Sequence, residues 1–169
     1  LDETGKRLGN IVVMGTGEPF DNYDNVMKAL KIINDPHALE IGARHISIST
    51  CGIVPMIKRF ADEKVQYNLA ISLHASNDRL RTSLMPINKA YPLKELMEAL
   101  KYYCVDNNRR LTFEYLLLKD INDQKENADE LKELLHGLNA YINLIPYNEV
   151  KEHDYETSSD KRALEFYDM

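Results

Sequence analysis

The chain contains no tryptophan and only two cysteines among its 169 residues. Two thiols, Cys51 and Cys104, are too few for a disulfide framework, so we expect both to be reduced. No apolar run approaches the roughly 20 residues of a membrane-spanning helix, and no signal peptide opens the chain. Acidic residues outnumber basic residues by 27 to 21, which argues against this segment alone wrapping a nucleic acid. These absences favour a cytoplasmic globular protein that does not contact a membrane.

The stretch from Asn10 to Phe20, NIVVMGTGEPF, is the most informative part of the sequence. Its apolar run, Ile11 to Met14, predicts a short strand that is buried on both faces. Gly15 and Gly17 permit positive φ or the close approach of a ligand, and the following proline stiffens the turn. Glu18 is thus predicted to lie at a strand end, where its carboxylate could accept a hydrogen bond from an ammonium group. The alternative is an ordinary strand-to-helix turn with a solvated glutamate.

Five apolar or alternating segments predict strands, at residues 11–14, 44–50, 67–74, 111–118 and 141–147, and helical patterns separate them. This alternation predicts a parallel sheet with right-handed crossovers, either an open doubly wound sheet or part of a (β/α) barrel. Cys104 lies on the apolar face of a helical pattern and is predicted to be a core thiol. Arg79 and Arg81 are predicted to lie on a solvated surface.

Polar residues occur at or just after the ends of four predicted strands: Gly17 and Glu18, Ser49 and Thr50, Ser72 and His74, and Asn143 and Asn148. Parallel strands bring their carboxyl ends to one edge of the sheet, where α/β enzymes build their sites. We therefore expect a site for a ligand rich in hydroxyl, amine and carboxylate groups. Structural roles remain open as well, since Ser49 and Thr50 could cap a helix and His74 could be a hydrogen-bonded loop residue.

Six sequence blocks follow one another in order: MGTGEP (14–19), ISISTCGIVP (46–55), LAISLHASND (69–78), MPINKAYPL (85–93), FEYLLLKDIND (113–123) and INLIPYN (142–148). Together they closely resemble the dual-specificity 23S rRNA and tRNA adenine-C2 methyltransferases of the radical S-adenosylmethionine superfamily. The resemblance covers nearly the whole chain. The adenine-C8 rRNA methyltransferases of the antibiotic-resistance type share several blocks, but the Gly-Glu-Pro form and the INLIPYN block look more like the C2 enzymes.

The resemblance implies an α/β fold, a partial (β/α)6 TIM-like barrel of which this chain holds about five parallel strands. It also implies S-adenosylmethionine and a [4Fe-4S] cluster as cofactors, and ribosomal RNA and tRNA as partners. The implied activity of the parent protein is methylation of C2 of an adenine in these RNAs. Matched residue by residue, the S-adenosylmethionine-binding positions are Gly17, Glu18, Ser49, Ser72, Leu73, His74 and Asn148.

Two parts of the family pattern are missing from this sequence. The CxxxCxxC loop that ligates the cluster is absent, and so is the methyl-carrying cysteine; Cys51 and Cys104 match neither role. We therefore expect residues 1–169 to be the central part of a radical S-adenosylmethionine barrel, inactive alone, without the first strand, the cluster loop and the C-terminal catalytic segment. No catalytic or metal-binding residue is assigned here. The edge of the strand at 11–14 should lack its neighbour, which predicts self-association.

Two other functions remain open from the residues alone. A barrel aldolase or isomerase acting on a phosphorylated small molecule would need a Gly-rich phosphate loop late in the chain and a catalytic lysine at a strand end, and neither is evident. A non-catalytic binding domain would keep the polar strand ends but would need no cluster. A CxxxCxxC motif in the flanking sequence of the parent gene would separate these possibilities from the radical chemistry.

Overall fold

The computed structural model describes residues 5, 8–107 and 110–169. Its strands are β1 (Ile11–Val13), β2 (Ile46–Thr50), β3 (Asn68–Ser72), β4 (Leu111–Leu117) and β5 (Ala140–Pro146). They form one sheet in chain order, and each adjacent pair is parallel. A doubly wound sheet reverses its strand order, so this sequential order is that of a barrel segment. The predicted α/β fold with five parallel strands is confirmed.

Helices fill the connections between the strands and follow the last strand. They are α1 (Tyr23–Asn34), α2 (Val54–Asp62), α3 (Asp78–Leu84), α4 (Leu93–Asn107), α5 (Lys125–Leu134) and α6 (Asp160–Tyr167). Short 3-10 turns occur at Pro19–Asn22, Ala43–His45 and Pro86–Lys89. Over the residues that the structure describes, no helix has both the length and the apolar character needed to cross a bilayer.

The helix boundaries follow from local sequence. Asn77 begins α3 because its Oδ1 accepts a hydrogen bond from the backbone N–H of Leu80 at 2.9 Å. Ser159 begins α6 in the same way, by accepting a hydrogen bond from the N–H of Arg162 at 3.2 Å. Cys104 is half-buried in α4 and packs against the core, which confirms its prediction as a core thiol.

The two faces of the sheet differ because side chains alternate along each strand. One face is apolar and is buried in a single cluster with apolar helix residues; its members include Ile46, Ile48, Leu69, Ile71, Phe113 and Tyr115. The parallel register aligns the residues of the opposite face, which we call the polar face: Ser47, Ser49, Ser72, Glu114 and Asn143. The core therefore lies between the apolar face and the helices, and the polar face is available for a ligand.

β1 does not have the predicted burial on both faces. Ile11 and Val13 pack against the core, but Val12 and Met14 are 57% and 52% exposed. Val12 pairs with Ser47 in the register of β1 and β2, so its side chain lies on the polar face of the sheet. The prediction of two-sided burial is wrong because, among the described residues, helices cover only the apolar face of the sheet, and its polar face is left open at Val12 and Met14.

Candidate ligand-binding site

A cavity of about 310 Å³ lies at the carboxyl ends of the strands. Small-molecule pockets in proteins begin at roughly this volume, about 300 Å³. The lining contains five of the seven predicted ligand-binding residues, namely Gly17, Glu18, Ser49, Ser72 and His74. It is completed by Met14, Gly15, Thr50, Cys51, Glu114 and Ile145. The structure thus brings polar groups from the ends of β1, β2 and β3 to one place, as the parallel arrangement predicts, together with Glu114 from the middle of β4; Asn143 and Asn148, the polar residues predicted at the fifth strand end, do not line the cavity.

Glu18 is fixed in this cavity by its own backbone and by the end of β2. Its Oε1 accepts hydrogen bonds from the N–H of Phe20 at 2.9 Å and from the hydroxyl of Thr50 at 2.7 Å. Its Oε2 accepts one from the N–H of Cys51 at 2.7 Å. Gly17, with φ of 118°, gives the chain the turn that directs Glu18 towards β2. The alternative of a solvated glutamate is therefore excluded.

The bonding pattern of Glu18 determines what it can bind. A carboxylate has about four acceptor positions; three of them take the backbone and hydroxyl donors named above, and the Cys51 thiol also hydrogen-bonds to this carboxylate. A thiol is a weak donor, so the ammonium group of a ligand can replace it at the carboxylate. Because the three existing bonds hold the carboxylate in place before any ligand arrives, an ammonium group would meet an oriented acceptor.

His74 presents a hydrogen-bond donor to the cavity. It has φ of 57°, and its Nδ1 accepts a hydrogen bond from the N–H of Leu116 at 3.1 Å. Burial, and to a smaller extent the positive charge of Arg81, lower the pKa of His74 to about 4. The ring is therefore neutral at physiological pH, with its proton on Nε2, because Nδ1 is the acceptor. His74 can donate to a ligand oxygen or nitrogen through Nε2, and it is not a base at neutral pH.

Arg81 connects the ends of β2 and β3, and it lies on α3. Its Nη2 donates to the carbonyl oxygens of Cys51 at 2.7 Å and Ser72 at 3.1 Å, and its Nε donates to that of Leu73 at 3.3 Å. The side chain is fully buried, so the prediction of a solvated Arg81 is wrong. Three carbonyl groups at the carboxyl ends of the strands replace water around the guanidinium, which permits its burial without a carboxylate in direct contact.

Asn88 extends this connection towards α4. It is buried, and its Oδ1 accepts a hydrogen bond from Nη1 of Arg81 at 3.0 Å. Its Nδ2 donates to Oδ1 of Asp78 at 2.9 Å, and the same Asp78 oxygen accepts the N–H of Leu93 at 2.8 Å. The block MPINKAYPL therefore contributes to the site indirectly, by holding the arginine that holds the strand ends.

Leu73 and Asn148 do not line the cavity. The Leu73 side chain is fully buried in the core, and its N–H donates to the carbonyl oxygen of Glu114 at 3.0 Å. Asn148 is exposed in the irregular segment after β5. The structure therefore gathers five of the predicted residues and leaves these two outside the cavity wall.

Glu114 and Arg81 are the polar residues at this site that sequence reasoning missed. Glu114 lies within the apolar strand pattern LTFEYLLL, where a single charged residue was a usable signal that one face of the strand meets polar groups. Arg81 carried no such signal, because a basic residue on a short helix ordinarily lies in solvent.

The residues present do not fit an iron–sulfur cluster. Burial, followed by the hydrogen bond to Glu18 and its charge, raises the pKa of Cys51 to about 12, so this thiol is protonated at neutral pH. Burial also raises the pKa of Cys104, on a separate element. A cluster of this type needs three thiolates, and the chain has two cysteines. Within residues 5, 8–107 and 110–169, no group of His, Cys, Asp and Glu side chains is arranged to hold a metal ion.

The fold and the cavity define a protein of the radical S-adenosylmethionine type. The Radical SAM superfamily matches residues 1–134, and the chain belongs to this superfamily. Membership implies S-adenosylmethionine and a [4Fe-4S] cluster as cofactors. The expected fold class and family resemblance are confirmed.

The chain is also similar, in sequence and in structure, to individual proteins. The chain is 58% identical over 166 residues to the "Probable dual-specificity RNA methyltransferase RlmN" of Thermoanaerobacter sp. (strain X514), covering 98% of this chain and 48% of that protein. The protein of the same name from Spiroplasma citri is 59% identical over 159 residues, covering 94% and 46%. The crystal structure of a radical SAM methyltransferase from Sphaerobacter thermophilus superposes with a TM-score of 0.95 at 45% identity, covering 98% and 49%. The chain spans about half the length of the curated relatives it matches.

Proposed function

We propose that this chain is the S-adenosylmethionine-binding part of a cytoplasmic radical S-adenosylmethionine RNA methyltransferase. The parent protein would methylate C2 of an adenine in ribosomal RNA and in tRNA, and the chain alone would be inactive. The observation that carries the proposal is the oriented Glu18 carboxylate in a cavity of a radical S-adenosylmethionine fold. The names of the relatives, which share more than half of their aligned residues with this chain, support the RNA substrate.

Within this proposal, the residues around the cavity have complementary roles. Glu18 accepts the ammonium group of the ligand, and His74 donates through Nε2. Ser49 and Ser72 offer hydroxyl groups that both donate and accept, while Gly17 lets the backbone pass close to the ligand. When bound, the cluster would supply the electron that cleaves S-adenosylmethionine. The residues that coordinate the cluster would come from outside these 169 residues.

The remaining alternatives have less support. Membership of the Radical SAM superfamily argues against a phosphate-binding aldolase or isomerase. The names of the relatives refer to dual-specificity RNA methyltransferases, which favours the C2 enzymes over the C8 enzymes. Leu73 and Asn148 remain predicted contacts of the ligand, from the family resemblance alone.

Glu18→Gln tests the proposal in the full-length protein. The substitution keeps the shape of the side chain but removes its charge, so S-adenosylmethionine binding should weaken by roughly 1.5 to 3 kcal/mol, the scale of a charge-assisted hydrogen bond. Isothermal titration calorimetry with S-adenosylmethionine measures the change. Asp21→Asn is the matched control, because Asp21 is an exposed carboxylate three residues away that does not line the cavity.

The control should bind like the wild type. If Glu18→Gln and the wild type bind S-adenosylmethionine equally well, Glu18 is not part of the site. If the wild type does not bind S-adenosylmethionine at all, the proposed function itself is wrong.

We also propose that the isolated chain self-associates through β1. In the part of the chain that the structure describes, β1 pairs with β2 only, so its other edge carries unpaired backbone groups. Val12 lies beside that edge with 57% of its surface exposed. An unpaired edge with apolar side chains is a template for pairing with another chain.

A further inference from the structure

Asn122 is a fully buried polar side chain in the loop after β4, and the roles above leave it unused. Its Oδ1 accepts a hydrogen bond from the N–H of Leu118 at 2.7 Å. Its Nδ2 donates to the carbonyl oxygens of Leu116 at 2.7 Å and His74 at 2.9 Å. A side-chain amide has two N–H donors, and both are used here. The side chain therefore joins β4 to His74, two residues beyond the end of β3.

Asn122 and His74 share the backbone of Leu116. Ser72 and Glu114 are the last residues paired between β3 and β4, so Leu116 lies two residues beyond that pairing. The N–H of Leu116 donates to Nδ1 of His74 at 3.1 Å, and its carbonyl oxygen accepts from Asn122. Two side chains thus satisfy the backbone groups of β4 that a longer β3 would pair.

The carbonyl oxygen of Leu116 bears on which nitrogen of His74 carries the proton. A neutral imidazole has one N–H donor and one acceptor nitrogen. While the Asn122 amide occupies this carbonyl, the ring meets only the N–H of Leu116, so Nδ1 is the acceptor and Nε2 carries the proton. Without the amide, the carbonyl would be an unpaired acceptor beside the ring, and a proton on Nδ1 would satisfy it.

The second bond from Nδ2 acts on the backbone of His74. This residue has φ of 57°, a conformation that side chains other than glycine rarely adopt. The bond from Asn122 to its carbonyl oxygen holds the backbone in that conformation, which points the ring into the cavity. One amide therefore controls both the direction of the ring and the position of its proton.

We infer that Asn122 is a positioning residue for His74, which fixes the Nε2–H tautomer and directs this donor into the cavity. Asn122 does not line the cavity itself, so it acts through His74 and does not touch a ligand. The consequence for S-adenosylmethionine rests on the proposed function, whereas the tautomer is a property of the protein without a ligand.

The first test reads the tautomer in the full-length protein at pH 7. Two-bond ¹H–¹⁵N correlation spectra of protein labelled with ¹⁵N-histidine show which ring nitrogen carries the proton, and the His74→Asn protein identifies the His74 signals. The wild type should carry the proton on Nε2. Asn122→Leu, which has a similar shape but no donor, should carry a proton on Nδ1 in a substantial fraction of molecules.

Two further variants complete this test. Asn122→Asp keeps an acceptor for the N–H of Leu118 and loses the amide donors, so it should also protonate Nδ1. Asn34→Leu is the matched control, because Asn34 at the end of α1 donates its amide to the carbonyl oxygen of Ile41 at 2.8 Å. The control should keep the wild-type tautomer. Thermal unfolding shows whether each variant is folded, and if neither Asn122 variant folds, the tautomer of the wild type decides.

The second test measures S-adenosylmethionine binding by calorimetry on the full-length proteins. Without an oriented Nε2–H, Asn122→Leu should lose up to about tenfold in affinity, the scale of one hydrogen bond. His74→Asn should lose a similar amount. The double variant should lose no more than either single variant, because Asn122 acts through His74.

Each result has a distinct meaning. A wild type with the proton on Nδ1, a folded Asn122→Leu protein that keeps it on Nε2, or a double variant that loses the sum of the two single losses overturns this inference and leaves the proposed function intact. A wild type that does not bind S-adenosylmethionine overturns the proposed function, while the tautomer still decides the role of Asn122.

Discussion

At the scale of single residues, the protein controls the protonation of groups around the cavity through burial and hydrogen bonding. His74 is kept neutral because it is buried and because its Nδ1 already accepts a backbone N–H. Cys51 is kept as a thiol, with its pKa raised by burial and by the neighbouring Glu18. Neither His74 nor Cys51 therefore carries a charge at neutral pH.

The state of His74 makes stability depend on pH. The folded pKa is about 4 against an ordinary value of 6.5, so the unfolded chain binds more protons between these values and stability rises with pH there. The contribution of the neutral His74 ring to the free energy of unfolding is fully present above pH 6.5 and is lost as the pH falls towards 4. The total loss is about 3 kcal/mol. Urea unfolding at pH 7 and pH 4.5 measures this loss.

His74→Asn provides the reference for that measurement. Asparagine tolerates the positive φ of 57° at this position and does not take up a proton in this range. The variant should therefore lose less stability than the wild type between pH 7 and pH 4.5. An equal loss in both proteins would show that other groups cause the pH dependence.

At the scale of secondary-structure elements, the ends of β2 and β3 are held together by one side chain from α3. Arg81→Met should lower the free energy of unfolding by at least about 3 kcal/mol, because it leaves buried carbonyl oxygens of both strands without donors. Arg79→Met, an exposed arginine on the same helix, should change it by less than about 0.5 kcal/mol. Denaturant unfolding compares the two variants, and similar stabilities would mean that Arg81 does not hold the strand ends.

The elements themselves were largely predictable from the sequence. Apolar runs and alternating patterns predicted all five strands, because the helix layer demands an apolar face on each strand. That Glu18 and His74 line one cavity was predictable because parallel topology brings strand ends together. The position of the cavity follows from the same argument.

The wrong predictions, for Val12 and Arg81, concern residues whose surroundings are formed by other secondary-structure elements. Val12 belongs to a run that resembles a strand buried on both faces, but burial on the second face depends on neighbours that a local pattern does not contain. Arg81 is buried because three carbonyls from other segments converge on it. These contacts depend on the tertiary structure, and no periodic pattern in the sequence indicates them.

At the scale of the whole molecule, the free edge of β1 should determine the oligomeric state of the isolated chain. We expect a dimer or higher oligomer at tens of micromolar, measured by sedimentation velocity. Val12→Lys should shift the chain towards the monomer without unfolding it, because Val12 is already 57% exposed and a charge beside the edge opposes strand pairing.

The other edge strand supplies the control for this prediction. Tyr141 lies on β5 and is 59% exposed, so Tyr141→Lys makes a comparable change at the opposite end of the sheet. It should leave the oligomer unchanged. A monomeric wild type, or an oligomer that only Tyr141→Lys disrupts, would contradict association through β1.

The unequal lengths of the strand pairings give the two walls of the cavity different rigidity. β1 is joined to β2 over three residue pairs, whereas β4 is joined to β5 over seven. Glu18 follows the weakly paired strand, and Glu114 lies within the strongly paired one. On the β4 side the cavity wall is therefore held by strand pairing, whereas on the β1 side Glu18 is held by its own hydrogen bonds to Thr50 and Cys51 at the end of β2. Fraying of the short β1 pairing would thus not by itself release the Glu18 carboxylate, because that carboxylate is attached to the neighbouring strand.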